Sequence, residues 1–172
     1  MSEQISSNYA EETFPELFNL RFGMTKAEAK ELYQKRGQRP IFERPDRLDF
    51  MCPPVDVPDA TETNLKFKDN KLVEVSQYFE VVDDDLSAFK HIAKYRDLKD
   101  QLSAKYGSPE SIEFMDDSYN NSERRLEGFK SKKGNYASMW RNVKKMDIFL
   151  VLGGDNLETF LRLTYKVHPE DQ

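Results

Sequence analysis

The side chains that most often bind metals or act as nucleophiles are scarce in this sequence. His91, His168 and Cys52 each stand alone, and no histidine lies near Cys52 in the chain. A metal site needs several converging ligands, and a cysteine nucleophile needs a base beside it. We therefore interpret His91 as a hydrogen-bonded or solvated residue near a helix start, His168 as an exposed residue and Cys52 as a buried, inert thiol. No metal or cofactor is expected.

Two acidic clusters are the candidates for a charged binding site. The first, residues 83–85, lacks the alternating ligands, central glycine and closing glutamate of an EF-hand, and it also suits the positive end of a helix dipole. The second, residues 116–119, contains a carboxylate pair but no matching acid elsewhere, and it also suits a solvated loop. We predict a partner-binding surface that contains Asp83, Asp84, Asp85, Asp116, Asp117 and Tyr119.

A basic stretch with aromatic residues between its cations spans residues 130–145. Its members are Lys130, Lys132, Lys133, Arg141, Lys144 and Lys145, with Phe129, Tyr136 and Trp140 among or beside them. Such a mixture can hold single-stranded nucleic acid through backbone charge and base stacking. The net charge of −5 argues against this use, because such binding depends on an excess of cations. We expect Trp140 to pack in the core and the lysines to fringe a loop.

Composition indicates a folded chain with a modest core. The 172 residues include 12 Phe and 8 Tyr, which supply large buried areas and argue against disorder. We expect a flexible arm at residues 1–13 and a single domain at 14–168, with halves at 14–82 and 83–168. A single cysteine excludes an intrachain disulfide, and neither a secretory leader nor a membrane-spanning run is evident. A cytoplasmic location is therefore expected.

Two helices are indicated by their end signals and periodicity. The clearer one spans residues 86–106, with the first acidic cluster before it and Gly107 and Pro109 after it. Its stripe of apolar residues includes Leu86 and Phe89. The other begins at Thr25, which forms a capping-box pattern with Glu28, and it ends before residue 37.

Several strands joined by short turns are indicated between and after these helices. They are expected at residues 48–52, in a hairpin at 64–82 that turns at Asp69-Asn70, and at 136–141, 146–152 and 157–167. Residues 153–156 are predicted as a turn, and residues 116–133 as a long exposed connection with a helical turn near 123–127. Short turns favour antiparallel pairing. We predict an α+β fold: a mainly antiparallel sheet, two principal helices packed on one face, and a repeated order of helix then strands.

Three motifs resemble those of small helix-plus-meander modules of the BamE/SmpA group. They are Phe22-Gly23-Met24-Thr25 with Glu28 and Leu32, the hairpin at residues 65–72, and a second unit marked by residues 105–109, Trp140 and residues 161–165. Doubled, this unit is the plan of the β-lactamase inhibitory protein. The resemblance implies a binding scaffold without catalytic residues. No lipid-acceptor cysteine near the N-terminus and no cysteine pair is present, so envelope assembly is not implied.

These observations favour a non-enzymatic protein that binds and neutralises another protein. A bacterial immunity protein or inhibitor directed against a toxin or a basic enzyme is the concrete hypothesis, because acidic patches complement a basic cleft. Two alternatives stay open: an enzyme with a site of dispersed Asp, Glu, Tyr and Lys residues, and a nucleic-acid-associated protein that uses residues 130–145. A concave, aromatic-lined sheet face opposite the helices would mark a partner surface.

Overall fold

The computed structural model describes residues 20–51 and 60–168. The helices are α1 (Lys26–Gln34), α2 (Phe89–Tyr106) and α3 (Arg125–Lys130). The strands are β1 (Phe42–Arg44), β2 (Arg47–Met51), β3 (Ala60–Lys68), β4 (Lys71–Phe79), β5 (Glu110–Met115), β6 (Gly134–Val143), β7 (Met146–Asp155) and β8 (Glu158–Val167). The strands pair antiparallel and helices pack against them, which confirms the predicted α+β class. The predicted arm at residues 1–13 and Cys52 lie outside the described residues.

The chain divides into two compact units. Unit 1 comprises residues 1–77 and 169–172, and unit 2 comprises residues 78–168. In unit 1 the strand order is β1-β2-β3-β4, and in unit 2 it is β8-β7-β6-β5. The assignment of residues 14–168 to a single domain stays a prediction.

The helix of unit 1 forms as its sequence predicts. Thr25 precedes α1, and its hydroxyl accepts a hydrogen bond from the Glu28 backbone N–H (3.2 Å). The Tyr33 ring then stacks on Phe50 of β2, with 3.7 Å between ring centroids. The β3–β4 hairpin turns at Asp69 and Asn70 as predicted, and both residues adopt the left-handed conformation that a two-residue hairpin turn requires.

The inner face of the unit 2 sheet forms the core beneath α2 and α3. Register aligns Trp140 with Ile148 and Ile148 with Tyr165, so these side chains share one face. Tyr136, on the same face, makes edge-to-face contacts with Tyr95 of α2 and Phe129 of α3. Trp140 is 2% exposed, which confirms its predicted place in the core.

The start of α2 differs from the prediction. The helix begins at Phe89 because Ala88 has a left-handed backbone (φ 55°), which interrupts helical geometry at that point. Leu86 and Phe89, predicted to be part of the apolar stripe, are instead 62% and 71% exposed. The buried stripe of α2 consists of His91, Ile92, Tyr95 and Leu102.

Two predictions about residues 116–156 need correction. The connection at 116–133 contains α3, which overlaps the helical turn predicted near 123–127, but the connection is not exposed throughout, because Leu126 and Phe129 are buried among polar neighbours that hide the pattern. The supposed turn at 153–156 continues β7 to Asp155, and the turn lies at Asn156 and Leu157. Gly154 serves close packing, because a Cβ there would collide with the backbone of Phe129.

Candidate functional site

Asp83 of the first acidic cluster is bound by three side chains of unit 2. Its Oδ1 accepts a hydrogen bond from the Thr159 hydroxyl (2.6 Å) and lies 2.9 Å from His91 Nε2, and its Oδ2 lies 3.3 Å from Lys130 Nζ. Burial acts to raise the pKa of Asp83, but these hydrogen bonds outweigh it and hold the pKa below its ordinary value. The carboxylate therefore joins α2, α3 and β8 and is largely occupied within the unit.

His91 does not form a catalytic triad with these residues. A triad uses opposite ring nitrogens, one for the carboxylate and one for the hydroxyl. Here Nε2 faces both Asp83 (2.9 Å) and the Thr159 hydroxyl (3.2 Å), and that hydroxyl bonds directly to the carboxylate. The His91 side chain is 1% exposed, and its Nδ1 has no hydrogen-bond partner in the part of the chain that the structure describes. This arrangement fits a structural link.

The other two members of the first cluster lie beside the start of α2. Asp85 accepts hydrogen bonds from the Ser87 backbone and hydroxyl and from the Lys90 backbone N–H (3.2 Å). The Ser87 hydroxyl contributes most to holding the pKa of Asp85 below its ordinary value. Asp84, whose side chain is 53% exposed, forms an ion pair with Lys90 at 3.1 Å. The expected role of this cluster at a helix start is confirmed for Asp85.

The second acidic cluster lies in the turn after β5. Asp116 accepts from the backbone N–H and hydroxyl of Ser118 (2.9 and 2.6 Å), and the hydroxyl bond contributes most to lowering its pKa. The Tyr119 ring lies under the Arg124 guanidinium, 4.3 Å from its centroid. Asp117 is exposed. Each cluster thus has its own local partners, and Asp84 and Asp117 are both exposed.

His168 and the aromatic residues of the basic stretch at 130–145 make contacts within the fold. His168 is not exposed as predicted: its Nδ1 lies 2.8 Å from Asp147 Oδ1, because its backbone N–H donates to Lys145 at the β6–β7 turn. The aromatic residues of the basic stretch also fail to form a stacking platform. Phe129 and Trp140 are buried, and the Trp140 indole N–H donates to the Gly107 carbonyl (2.7 Å).

The face of the unit 2 sheet opposite α2 and α3 carries a group of apolar side chains. Ser111 bonds to Ser138, which bonds to Tyr95 of α2, so alternate residues of β5 face the helix and the others face away. We call the far side the outer face of unit 2, and register places polar residues there too, among them Glu110, Asn135, Arg162 and Thr164. Its apolar members are Ile112, Phe114, Ala137, Met139, Phe149, Val151 and Phe160.

The outer face of unit 2 is most exposed at β5, the last strand in the order. Ile112 is 64% exposed and Phe114 is 57% exposed, while Met139, Phe149 and Val151 are half-buried. Isolated exposed apolar residues are normal on a protein surface, whereas contiguous apolar groups are characteristic of interaction surfaces, and this group is contiguous across three strands.

A pocket of about 420 Å³ lies at one end of the outer face of unit 2. Its lining consists of Lys132, Gly134, Asn135, Gly154, Asp155, Phe160 and Arg162. The Arg162 guanidinium lies 5.1 Å from the centroid of the Phe160 ring, and Lys132 forms an ion pair with Asp155 at 3.3 Å. Neither acidic cluster contributes to this pocket, and sequence reasoning missed it.

Unit 1 carries charged and amide groups on the face opposite α1. Arg47 Nε donates to Asp49 Oδ1 (2.7 Å), and the Asn64 amide, oriented to satisfy its neighbours, donates to Asp49 and Glu62 (3.1 and 2.9 Å). Burial, followed by the charge of Asp49, raises the pKa of Glu62. We call Arg47, Asp49, Glu62 and Asn64 the polar network of unit 1. Glu62 does not line the pocket of unit 2, so this raised pKa does not provide a general acid for that pocket.

Within residues 20–51 and 60–168, His, Cys, Asp and Glu side chains nowhere form a group of three or more suited to a metal ion. None of the helices described here combines the length and apolar character needed to cross a membrane. No protein-family model, curated protein or solved structure matches the chain.

Proposed function

We propose that this chain is a non-enzymatic protein-binding module, and that the outer face of unit 2 contacts and neutralises a partner protein. A bacterial immunity protein or inhibitor acting on a toxin or a basic enzyme is the concrete form. The cytoplasm is kept as the compartment, on the basis of the sequence alone. The observation that carries the proposal is the row of exposed and half-buried apolar side chains led by Ile112 and Phe114.

The exposed edge of this row supports a protein as the partner. Alternation along β5 places Ile112 and Phe114 side by side on one face, where they would bury substantial apolar area under a partner. Exposed apolar surface at the last strand of a sheet is an aggregation risk unless something covers it. A binding role explains why this surface is retained.

The residues with catalytic potential do not favour an enzyme. The Thr159 hydroxyl donates to the Asp83 carboxylate, which the His91 imidazole also contacts, and because these contacts hold the pKa of Asp83 low, that carboxylate is a weak base for removing the hydroxyl proton. Asp155 in the pocket pairs with Lys132, and both side chains are about two-thirds exposed. Water-excluded acid–base pairs, which would support turnover, are therefore not found at these positions.

The acidic clusters take a smaller part in this proposal than the sequence predicts. Asp83, Asp85 and Asp116 accept hydrogen bonds from their own unit. Asp84, which pairs with Lys90, and Asp117 are both exposed, and we propose them as rim charges that speed association with a basic partner. Rim charges of this kind change association rates more than affinity.

The test is quantitative capture of a partner from cells that make the protein naturally. Three tagged forms, the wild type, Phe114→Ser and Met51→Ser, are each expressed at the level of the native protein. The wild type should recover one partner in stoichiometric amount. Phe114→Ser should weaken that complex by about thirtyfold, the effect of losing one central contact residue. Met51→Ser is the matched control, since Met51 is also 57% exposed but lies in β2 of unit 1.

The same samples decide between neutralisation and simple binding. A partner with a measurable activity should lose it on mixing with one equivalent of the wild-type chain and keep it with Phe114→Ser. Equal capture by all three forms, or capture of no stoichiometric partner, would contradict the proposal.

A further inference from the structure

We propose that the pocket at the end of the outer face of unit 2 binds a carboxylate group of the partner protein, an inference that rests on the proposed function. The pocket volume of about 420 Å³ is enough for one or two side chains. Three of its lining side chains can donate hydrogen bonds: Lys132, Asn135 and Arg162.

Arg162 is the main recognition group of the pocket. Its guanidinium lies over the Phe160 ring at 5.1 Å, a contact that limits its mobility. It forms no ion pair with any carboxylate of residues 20–51 and 60–168. Its cross-strand neighbour on the outer face is Val151, an apolar residue. A guanidinium held in this way offers two parallel donors to a carboxylate.

The acidic residues near the pocket do not neutralise Arg162. Asp155 pairs with Lys132 (3.3 Å), and Glu158 lies opposite Asp155 at the start of β8. Glu158 and Arg162 are four residues apart along an extended strand, a separation of about 13 Å. Salt at physiological strength screens exposed charges beyond roughly 8 Å. The positive charge of Arg162 is therefore available to a ligand.

Gly153 creates the space in which these groups meet. A Cβ at this position would lie 3.0 Å from Asn135 Oδ1 and 3.1 Å from Phe160 Cζ. Its absence lets the Asn135 and Phe160 side chains lie over β7. The amide, the aromatic ring and the guanidinium consequently surround one space at the end of the sheet.

The position of the pocket indicates that its carboxylate belongs to a protein. Register leads from Arg162 through Val151 and Ala137 to Ile112, so an apolar path across three strands begins beside the pocket. A segment that presents an acidic side chain beside an apolar one would fill the pocket and cover the path together. A partner of net basic charge still meets this requirement, because the pocket needs only one local carboxylate.

The test is titration of the full chain with two probes, N-acetyl-Phe-Glu amide and N-acetyl-Phe-Gln amide, followed by NMR. The glutamate probe should bind about tenfold more tightly, since a charge-assisted hydrogen bond replaces a neutral one. The largest shifts should appear at the Arg162 Nε–H, the Asn135 side-chain amide and the Gly153 backbone. Arg162→Gln should abolish the difference between probes. Lys166→Gln, which removes a charge from the same strand, should keep it.

Each contrary result is separable from a failure of the proposed function. Equal affinity for the two probes in the wild type, or a preference for glutamate that survives Arg162→Gln, would overturn the carboxylate site. In that case the capture experiment with Phe114→Ser still decides independently whether the outer face of unit 2 binds a partner.

Discussion

In each unit one face of the sheet points away from the helices, and these two faces differ. The face of unit 1 carries charges that pair with one another, whereas the face of unit 2 exposes apolar side chains. In unit 1 the polar network pairs its charges internally: Asp49 is 5% exposed and bonds to Arg47 and, in its satisfied orientation, Asn64. In unit 2 the corresponding face presents Ile112 and Phe114 to solvent, with no such pairing possible. The first face is explained by the chain itself, and the second is where we propose that a partner binds. Changes to the two faces should therefore affect different measurements.

The largest expected loss of stability comes from adding a methyl group on the inner side of the unit 2 sheet, and the same addition on the outer side should cost much less. Gly154→Ala should lower the free energy of unfolding by about 3 kcal/mol, because the new methyl group meets the backbone of α3 and the helix must move. Gly153→Ala is the matched control: its methyl group meets only the movable ends of Asn135 and Phe160, and it should cost less than about 1 kcal/mol. Urea denaturation followed by circular dichroism measures both. Equal losses would contradict the packing described for α3.

The next effect tests whether the polar network of unit 1 is structural. Asp49→Ala should destabilise the protein by about 2 kcal/mol, because the buried Asn64 amide and Arg47 lose their shared acceptor. Asp46→Ala, an exposed turn position one strand end away, should change stability by less than about 0.5 kcal/mol. Denaturant unfolding gives the stability, and partner capture should be unchanged in both variants. Loss of capture without loss of stability in Asp49→Ala would move the binding site to unit 1.

Acid should act in opposite directions on Asp83 of unit 2 and Glu62 of unit 1. The folded state lowers the pKa of Asp83, so its ionised form stabilises unit 2 above about pH 4, and this is lost as the pH falls further. The folded state raises the pKa of Glu62, so its contribution is favourable in acid and is lost as the pH rises through the raised value. Amide hydrogen exchange at pH 3.5 and 6.5 resolves each unit separately.

Matched variants identify the groups responsible for this pH dependence. Asp83→Asn should reduce the acid sensitivity of unit 2, although Asp85, Asp116 and Asp147 keep part of it, and Glu62→Gln should remove the contribution of Glu62 in unit 1. An unchanged pH profile in both variants would show that other groups govern the response.

The smallest effect concerns an ion pair of unit 1 whose cation is exposed. Lys66 Nζ lies 3.0 Å from Glu74 Oε2, with the lysine side chain 56% exposed and the glutamate side chain 18% exposed. Lys66→Gln should cost no more than about 0.5 kcal/mol, since solvent and salt screen such pairs. Thermal unfolding at low and high salt measures it, and a loss above 2 kcal/mol would show that this pair belongs to the buried network.

Local signals in the sequence predicted the parts of the fold that depend on neighbouring residues. Thr25 with Glu28 marked the start of α1, Gly107 marked the end of α2, and Asp69-Asn70 marked the hairpin turn. Each of these acts through hydrogen bonds or backbone conformations within a few residues. The α+β class followed because short turns leave antiparallel pairing as the simple arrangement.

Features that depend on distant residues were not predictable in the same way. Thr159 meets Asp83 across 76 positions, and no spacing rule connects them. Gly154 resembled a turn residue, although its role is to admit the α3 backbone. The outer face of unit 2 became visible only when register aligned β5, β6 and β7, because each strand alone carries just a few apolar residues.

Site-specific photo-crosslinking compares the two faces most directly. The photoreactive residue p-benzoylphenylalanine would replace Ile112 on the outer face of unit 2 in one sample and Lys66 of unit 1 in another, within cells that make the protein naturally. We expect position 112 to give one dominant crosslinked protein, reduced by an added Phe114→Ser change, and position 66 to give only background. Dominant crosslinking at position 66, or none at position 112, would contradict the claim that unit 2 carries the partner surface.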